Sequence, residues 1–217
     1  QREGYGGIPN IPMLAVYLAQ HTAELHYGSM FNTVPAWHPL RLAEDVALAD
    51  ILTRGRFRFG IGRGYIAREL ATLGGPLEDD PANRELFEEQ IEIIFKAWHE
   101  PSFTHRGAHY QLPAKVEHRR QLLEEITLVP RPQNQPVECW QPIFSANPRG
   151  IEFMLQHNIK GVVPAGSRAL EIAEQWRAGR AQAGRDGALG EGLALVLQIH
   201  LADSEGEAIR KATPWFE

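Results

Sequence analysis

The sequence predicts an α/β fold in which strands and helices alternate, and three observations carry that prediction. The first is one continuous helix-to-strand block, His38 to Gly64. Apolar residues at Leu40, Ala43, Val46, Ala47, Leu48 and Ile51 recur at helical spacing. Pro39 stands in the first turn, where its missing N–H costs nothing. Gly55 stops the helix, and Phe57, Phe59 and Ile61 then alternate with Arg56, Arg58 and Gly60 as the two faces of a strand do. The second observation is that units of this kind recur along the chain with short breaks. The third is the absence of any repeat, low-complexity segment or linker, which makes 1–217 a single domain.

In order, residues 14–23 read as the end of a helix and 25–33 as a strand, ahead of the helix and strand just described. A further helix begins near Asp80, which can cap it, with Pro81 in its first turn. Its apolar stripe is Phe87, Ile91, Ile94, Phe95 and Trp98. Residues 100–137 break the rhythm: Pro101, Gly107, Pro113, Pro130, Pro132 and Pro136 punctuate strand-like pieces at 108–112 and 126–129. An excursion of this length is usually functional or mobile. The alternation then resumes, with strands at 141–146, 161–164 and 193–202 and helices at 148–157, 170–184 and from 204 to 212. Such parallel units build either a doubly wound sheet or a barrel, and periodicity does not choose between them.

Composition removes several classes of function. A chain of 217 residues with 43% apolar and 23% charged residues can bury a sizeable core. A net charge of −5 without a basic cluster argues against a nucleic-acid partner. No run approaches the roughly 18 apolar residues of a membrane helix, and the first residues lack a signal-peptide pattern, so the expected location is the cytoplasm and no membrane partner is expected. Cys139 is the single cysteine, which rules out an internal disulfide and a multi-cysteine zinc site and fits an inert thiol. His99, His105, His109 and His118 accompany Glu100 and Glu117 without metal-motif spacing and read as solvated surface residues, so no metal is expected. Glu85, Glu88, Glu89 and Glu92 line the polar face of their helix, and Glu78, Asp79 and Asp80 read as a loop and cap.

Chemistry concentrates at the end of the Phe57–Ile61 strand. Gly62 and Gly64 can take positive φ and admit a ligand to the backbone, leaving Arg63 at the carboxyl end of a strand, where α/β barrels place their chemistry. An arginine fork suits a phosphate.

The block from His38 to Gly64 closely resembles the bacterial luciferase-like family of flavin-dependent monooxygenases, and the pattern can be followed from about Gly4 to Phe216. The resemblance selects the barrel: an α/β TIM (β/α)8 barrel of the luciferase-like type, here partial, covering strands three to seven of eight. The family's N-terminal βαβ, which precedes a segment like Gly4 to Gly7, and its last βα unit are missing. Open edge strands would then be exposed.

The resemblance further implies that Arg63, with Gly64, grips the phosphate of FMN, and that Arg84 is a second phosphate arginine reached over a loop three residues longer than in the luciferase α subunit. Ser145 and Ala146 fall where the family has a strand end followed by small hydroxyl residues. Ala146 stands where the luciferases carry a hydroxyl, so that contact is either lost or taken over by Ser145 or Arg149. Asn147 and Pro148 look like a helix cap and first helical residue, with backbone N–H groups able to meet the same phosphate. Met30, Phe31 and Asn32 match the family's cis-peptide platform for the flavin ring, with Asn32 bonding a ring carbonyl or nitrogen. His38 belongs to a His-Pro pair with a structural role. The catalytic histidine of the luciferases sits before Gln1, so no residue here is assigned as catalytic.

The function implied is oxidation of a small organic substrate (aldehyde, alkane, sulfonate or similar) by reduced FMN (FMNH2) and O2, with a separate flavin reductase as partner. A homodimer or heterodimer is expected, with Leu42, Val46 and Phe87 as candidates for the contact face. Two alternatives stand beside it: hydride transfer with the deazaflavin F420, and a non-catalytic flavin-binding or subunit partner in which Phe31 or Trp37 blocks the ring site.

Overall fold

A computed structural model of the chain describes residues 10–64, 67–75, 80–118, 120–145, 147–197 and 199–215. By their contacts they fall into two compact units, one of residues up to 142 with 156–160, the other of 143–155 with 161 onward. The Gly4 to Gly7 segment, Glu78, Asp79 and Ala146 lie outside the described residues.

The first unit opens with α1 (Ile11–Ala19), β1 (Tyr27–Gly28), β2 (Asn32–Thr33), a 3-10 turn over Val34–Ala36, and α2 (Pro39–Leu52). It continues through β3 (Phe57–Gly62), α3 (Ala67–Thr72) and α4 (Asp80–His99). Two small hairpins follow, β4 (His105–Arg106) with β5 (Gln111–Leu112) and β6 (Glu117–His118) with β7 (Gln121–Leu122), and then β8 (Cys139–Pro142). β3 is the centre. It pairs in parallel with β1 (Tyr27↔Phe57), β2 (Asn32↔Ile61) and β8 (Phe59↔Cys139). Phe57, Phe59 and Ile61 are fully buried, as their alternation predicts. Burying each side chain of this size is worth about 1.5–3 kcal/mol.

α2 and α4 cover β3. Leu42, Ala43, Val46 and Ala47 on α2 and Phe87, Ile91, Ile94 and Trp98 on α4 are all buried. The Trp98 indole donates to the Ala43 carbonyl (3.0 Å) and meets the Phe59 ring edge-on at 5.7 Å. This corrects the expected contact face: Leu42, Val46 and Phe87 are consumed inside the unit, because the apolar stripes of the two helices and the strand must cover one another.

The predicted strand at 25–33 is two short strands. At the break the Ser29 hydroxyl replaces the backbone ladder, donating to the Gly60 carbonyl and accepting from the Gly60 N–H, both at 3.0 Å. Asn32 Nδ2 adds donors to Ser29 Oγ (2.6 Å) and Gly60 O (3.2 Å). Only glycine fits opposite: a Cβ on Gly60 would lie 1.7 Å from the Ser29 carbonyl oxygen. α1 begins earlier than the predicted 14–23, because Asn10 Oδ1 accepts from Met13 N (2.9 Å) and Pro12 occupies the first turn.

α4 is buried on a second side as well, where the 100–137 segment packs, and two sequence readings are corrected there. Glu89 is 9% exposed and His105 6% exposed, not solvated. Glu89 Oε1 lies 3.0 Å from His105 Nε2 and accepts from Tyr110 N (2.8 Å), and Oε2 accepts from His109 N (2.9 Å). One carboxylate thus satisfies the turn of the β4–β5 hairpin, a role helical periodicity alone does not reveal. Burial opposes ionisation of Glu89, but the bonds from His109, His105 and Tyr110 outweigh it and hold the carboxyl below its ordinary value. A second anchor is the fully buried Asp50, which accepts from Asn134 N (2.8 Å) and Nδ2 (2.9 Å). Cys139 is buried, and desolvation pushes its thiol upward and keeps it protonated.

The second unit holds α5 (Pro148–Gln156), β9 (Lys160–Pro164), α6 (Ala169–Gln182), β10 (Leu193–Val196) and α7 (Glu205–Ala212), apart from the few residues that count with the first. β9 and β10 are parallel, from Leu193↔Gly161 to Val196↔Pro164. The ladder ends there, short of the predicted 202, although apolar residues continue at alternate positions, Leu197, Ile199 and Leu201. α5 and α6 approach closely at Gly179, where a Cβ would stand 2.9 Å from Ile151 Cγ2. Ser204 caps α7, accepting from Glu207 N at 3.3 Å. Among the described residues, no helix is long and apolar enough to cross a membrane.

Two outcomes test this packing. Gly60→Ala forces β2 and β3 apart and is expected to lower stability by about 3 kcal/mol or more, read as a drop in the urea midpoint. Glu89→Gln should cost about 2 kcal/mol at pH 7. Because the Glu89 value is depressed in the fold, its stabilisation is present above about pH 4.3 and drains away as pH falls through the lower folded value. Stability measured from pH 7 to pH 3 should therefore fall less steeply in the variant than in the parent.

Candidate functional site

The carboxyl ends of β2 and β3 and the first turn of α4 converge on Arg63. Gly64 follows it with φ +83°, and a Cβ there would stand 2.7 Å from Thr33 Cγ2, so the close approach of β2 demands glycine. Gly62 stays within β3 and takes no positive φ, which corrects the expectation for that residue. Asn83, 2% exposed, fixes the arginine from the helix side: its Nδ2 donates to the Arg63 carbonyl at 3.2 Å, and its Oδ1 accepts from Arg63 Nη1 at 3.4 Å.

Arg63 Nη1 also donates to Asp80 Oδ1 at 2.7 Å, and Arg84 Nη2 stands 4.0 Å from Asp80 Oδ2, one turn along α4. The Arg63 hydrogen bond, against slight burial and with the charges of Arg63 and Arg84, holds the Asp80 carboxyl below its ordinary value. Two guanidinium groups at the start of a 20-residue helix thus share one carboxylate. Such an arrangement binds an oxyanion through charge-assisted forks, helped by the positive end of the helix.

Met30, Phe31 and Asn32 lie beside this cluster through the β2–β3 pairing of Asn32 with Ile61 and Thr33 with Gly62. The Met30–Phe31 peptide is cis, as the resemblance implied. Phe31 Cβ is 3.4 Å from where a Cβ on Gly62 would stand, and Met30 is exposed. Asn32 is buried with its amide nitrogen committed to Ser29 and Gly60, so it has no donor to spare and only its side-chain carbonyl to offer. Ser145 and Arg149 belong to the second unit and are exposed there. Asn147 Oδ1 accepts from Arg149 N (3.1 Å), in keeping with its expected cap.

His38 is the N-cap of α2, its Nδ1 accepting from Leu40 N at 3.3 Å, and its ring meets Tyr110 edge-on at 5.5 Å. Burial and then Arg41 lower its pKa, which keeps the capping nitrogen free of a proton. Sequence reasoning missed Asn83 and Gln90. Gln90 is fully buried and donates to the Trp37 carbonyl (2.8 Å) and to Tyr110 Oη (2.9 Å). The available signal was an amide at helical spacing within an apolar stripe.

A family model described as luciferase-like monooxygenase matches residues 1–217. The oxygenase component of a flavin-dependent trigonelline monooxygenase from Acinetobacter baylyi is 29% identical over 150 residues, 69% of this chain and 38% of that protein. The oxygenating constituent of 3,6-diketocamphane monooxygenase from the CAM plasmid of Pseudomonas putida, solved with FMN, superposes with a TM-score of 0.76 at 20% identity, covering 98% of this chain and 59% of that one. An F420-dependent secondary alcohol dehydrogenase, solved with an F420–acetone adduct, gives 0.73 at 14% identity, covering 95% and 59%. The matched regions span 30% to 38% of the length of the first curated relatives. At such identities the solved structures speak for the fold, a luciferase-like TIM barrel of which this chain is a part. With the match running through every residue from the strand of Arg63 to both ends, the chain belongs to the luciferase-like monooxygenase family.

Proposed function

We propose that this chain forms the flavin-phosphate half of a two-component monooxygenase site. The observation that carries the reading is the convergence of Arg63 and Arg84 on one carboxylate at the carboxyl end of β3. A carboxylate held in that place is a stand-in for an oxyanion, and the donor set fits the terminal phosphate of FMN.

In this reading Arg63 and Arg84 hold the phosphate, and Asn83 keeps Arg63 aimed by holding its backbone. Gly64 lets the chain pass close to Thr33 without a side chain between them. The apolar segment Met30–Phe31 and the Asn32 carbonyl border the ring. Reduced flavin, when bound, supplies two electrons: one atom of O2 enters the substrate and the other leaves as water. This chain's own part is binding, orientation and exclusion of water, which is why few polar residues mark it. The relative from Acinetobacter is named an oxygenase component, which supports a reductase as the source of reduced flavin. The substrate class is a small organic molecule such as an aldehyde, alkane or sulfonate.

The test is a fluorescence titration with FMN, with FMNH2 under anaerobic conditions, and with F420, on the parent and on Arg63→Ala. Preferential binding of FMNH2, weakened by about 1.5–3 kcal/mol or some 10- to 150-fold in the variant, is the expected result. Preference for F420 moves the protein to hydride transfer, the chemistry of the dehydrogenase with the similar fold. Binding of none of the three overturns the flavin reading.

A further inference from the structure

We infer that Asp80 is an internal counter-anion of the phosphate site, displaced when a ligand phosphate binds and returning to help release it; the inference rests on the flavin-phosphate reading above. The mobile partner is identified by what each group is tied to. Arg63 is 28% exposed at its side chain, and both its backbone carbonyl and its guanidinium are held by the buried Asn83. Arg84 is 20% exposed at its side chain. Asp80 is 69% exposed at its side chain, and among the described residues its carboxylate meets Arg63 and Arg84. When an oxyanion arrives, the carboxylate can turn into water while the guanidinium groups stay where they are.

The exchange is favourable by charge and by geometry. Asp80 brings one negative charge and two acceptor oxygens, one on each arginine. A phosphate monoester brings close to two charges and three terminal oxygens, so it serves both forks and the α4 amino terminus together. The carboxylate keeps the arginines aligned while no ligand is present and weakens the net grip on phosphate. A weakened grip suits a cofactor that must arrive from, and leave for, a second protein. Asp80 is thus a specificity and release residue, separate from any group that reacts.

The experiment compares the parent chain with Asp80→Asn, which keeps an acceptor toward Arg63 but removes the charge. Three probes are titrated at fixed salt: FMN and riboflavin by fluorescence, and inorganic phosphate by calorimetry. The expected result is that Asp80→Asn binds FMN and inorganic phosphate about tenfold more tightly or better, with slower FMN dissociation, while riboflavin, which has no phosphate, is unmoved. Tighter phosphate with no FMN binding by either protein supports the counter-anion and overturns the flavin reading. Binding of FMN by both proteins, with FMN and phosphate affinities unchanged or lower in the variant, overturns the counter-anion and leaves the flavin reading standing. Binding of neither probe by either protein overturns both.

Discussion

Everything in the first unit depends on how closely β2 can approach β3. The backbone of Gly60 has no Cβ, and the Ser29 carbonyl sits in the space one would fill. That contact brings the Ser29 hydroxyl onto the Gly60 N–H and carbonyl, so the strand can break and resume without leaving buried backbone groups unpaired. It fixes Asn32 and Thr33 opposite Ile61 and Gly62, and so sets which residues stand at the mouth of the parallel strands. The covering layer follows from the same strand, since Phe57, Phe59 and Ile61 must be sealed by α2 and α4.

Three arginines within eight positions of one another show how placement along a strand decides the work a side chain does. Arg56, just before β3, donates to the carbonyls of Ala19, Leu25 and Thr53 and ties the end of α1 to the end of α2. Arg58, inside the strand, donates to the Gly55 carbonyl and pairs with Glu138 at 3.3 Å. Both are committed to the chain itself, and their charge is spent on satisfying backbone and on a neighbouring acid. Arg63, one residue past the strand, has no ladder to serve. Among the described residues its guanidinium meets the opening of α4, where Asp80 and Asn83 receive it. The chemical difference between a structural and a ligand-directed arginine is therefore a matter of a few residues of register.

The long segment after α4 illustrates the opposite dependence. Its turns carry backbone N–H groups that its own short hairpins do not satisfy, and the acceptors come from helices outside it: Glu89 on α4 for His109 and Tyr110, Asp50 on α2 for Asn134. Each of these acids sits in a helix whose pattern assigns it to water or gives it no role. Their burial is explained only by the segment that folds over them.

The α/β alternation, the helix from Pro39, the β3 strand, the stripe of α4 and the placing of Arg63 at a strand end were all legible in the sequence, because each follows from local spacing and from Gly and Pro at the boundaries. Family resemblance supplied the barrel and the cis peptide at Met30–Phe31, which periodicity does not contain. Tertiary structure alone decided that the strand at 25–33 breaks at Ser29, that Leu42, Val46 and Phe87 face inward, that Glu89 and His105 are buried together, and that Asp80 lies between Arg63 and Arg84. Each of those needs a contact between residues separated along the chain, as Asp80 needs Arg63 as well as its helix neighbour Arg84. Local periodicity fixes which face of an element is apolar, but what that face meets, and which polar atom is left needing a partner, is settled only when the elements pack.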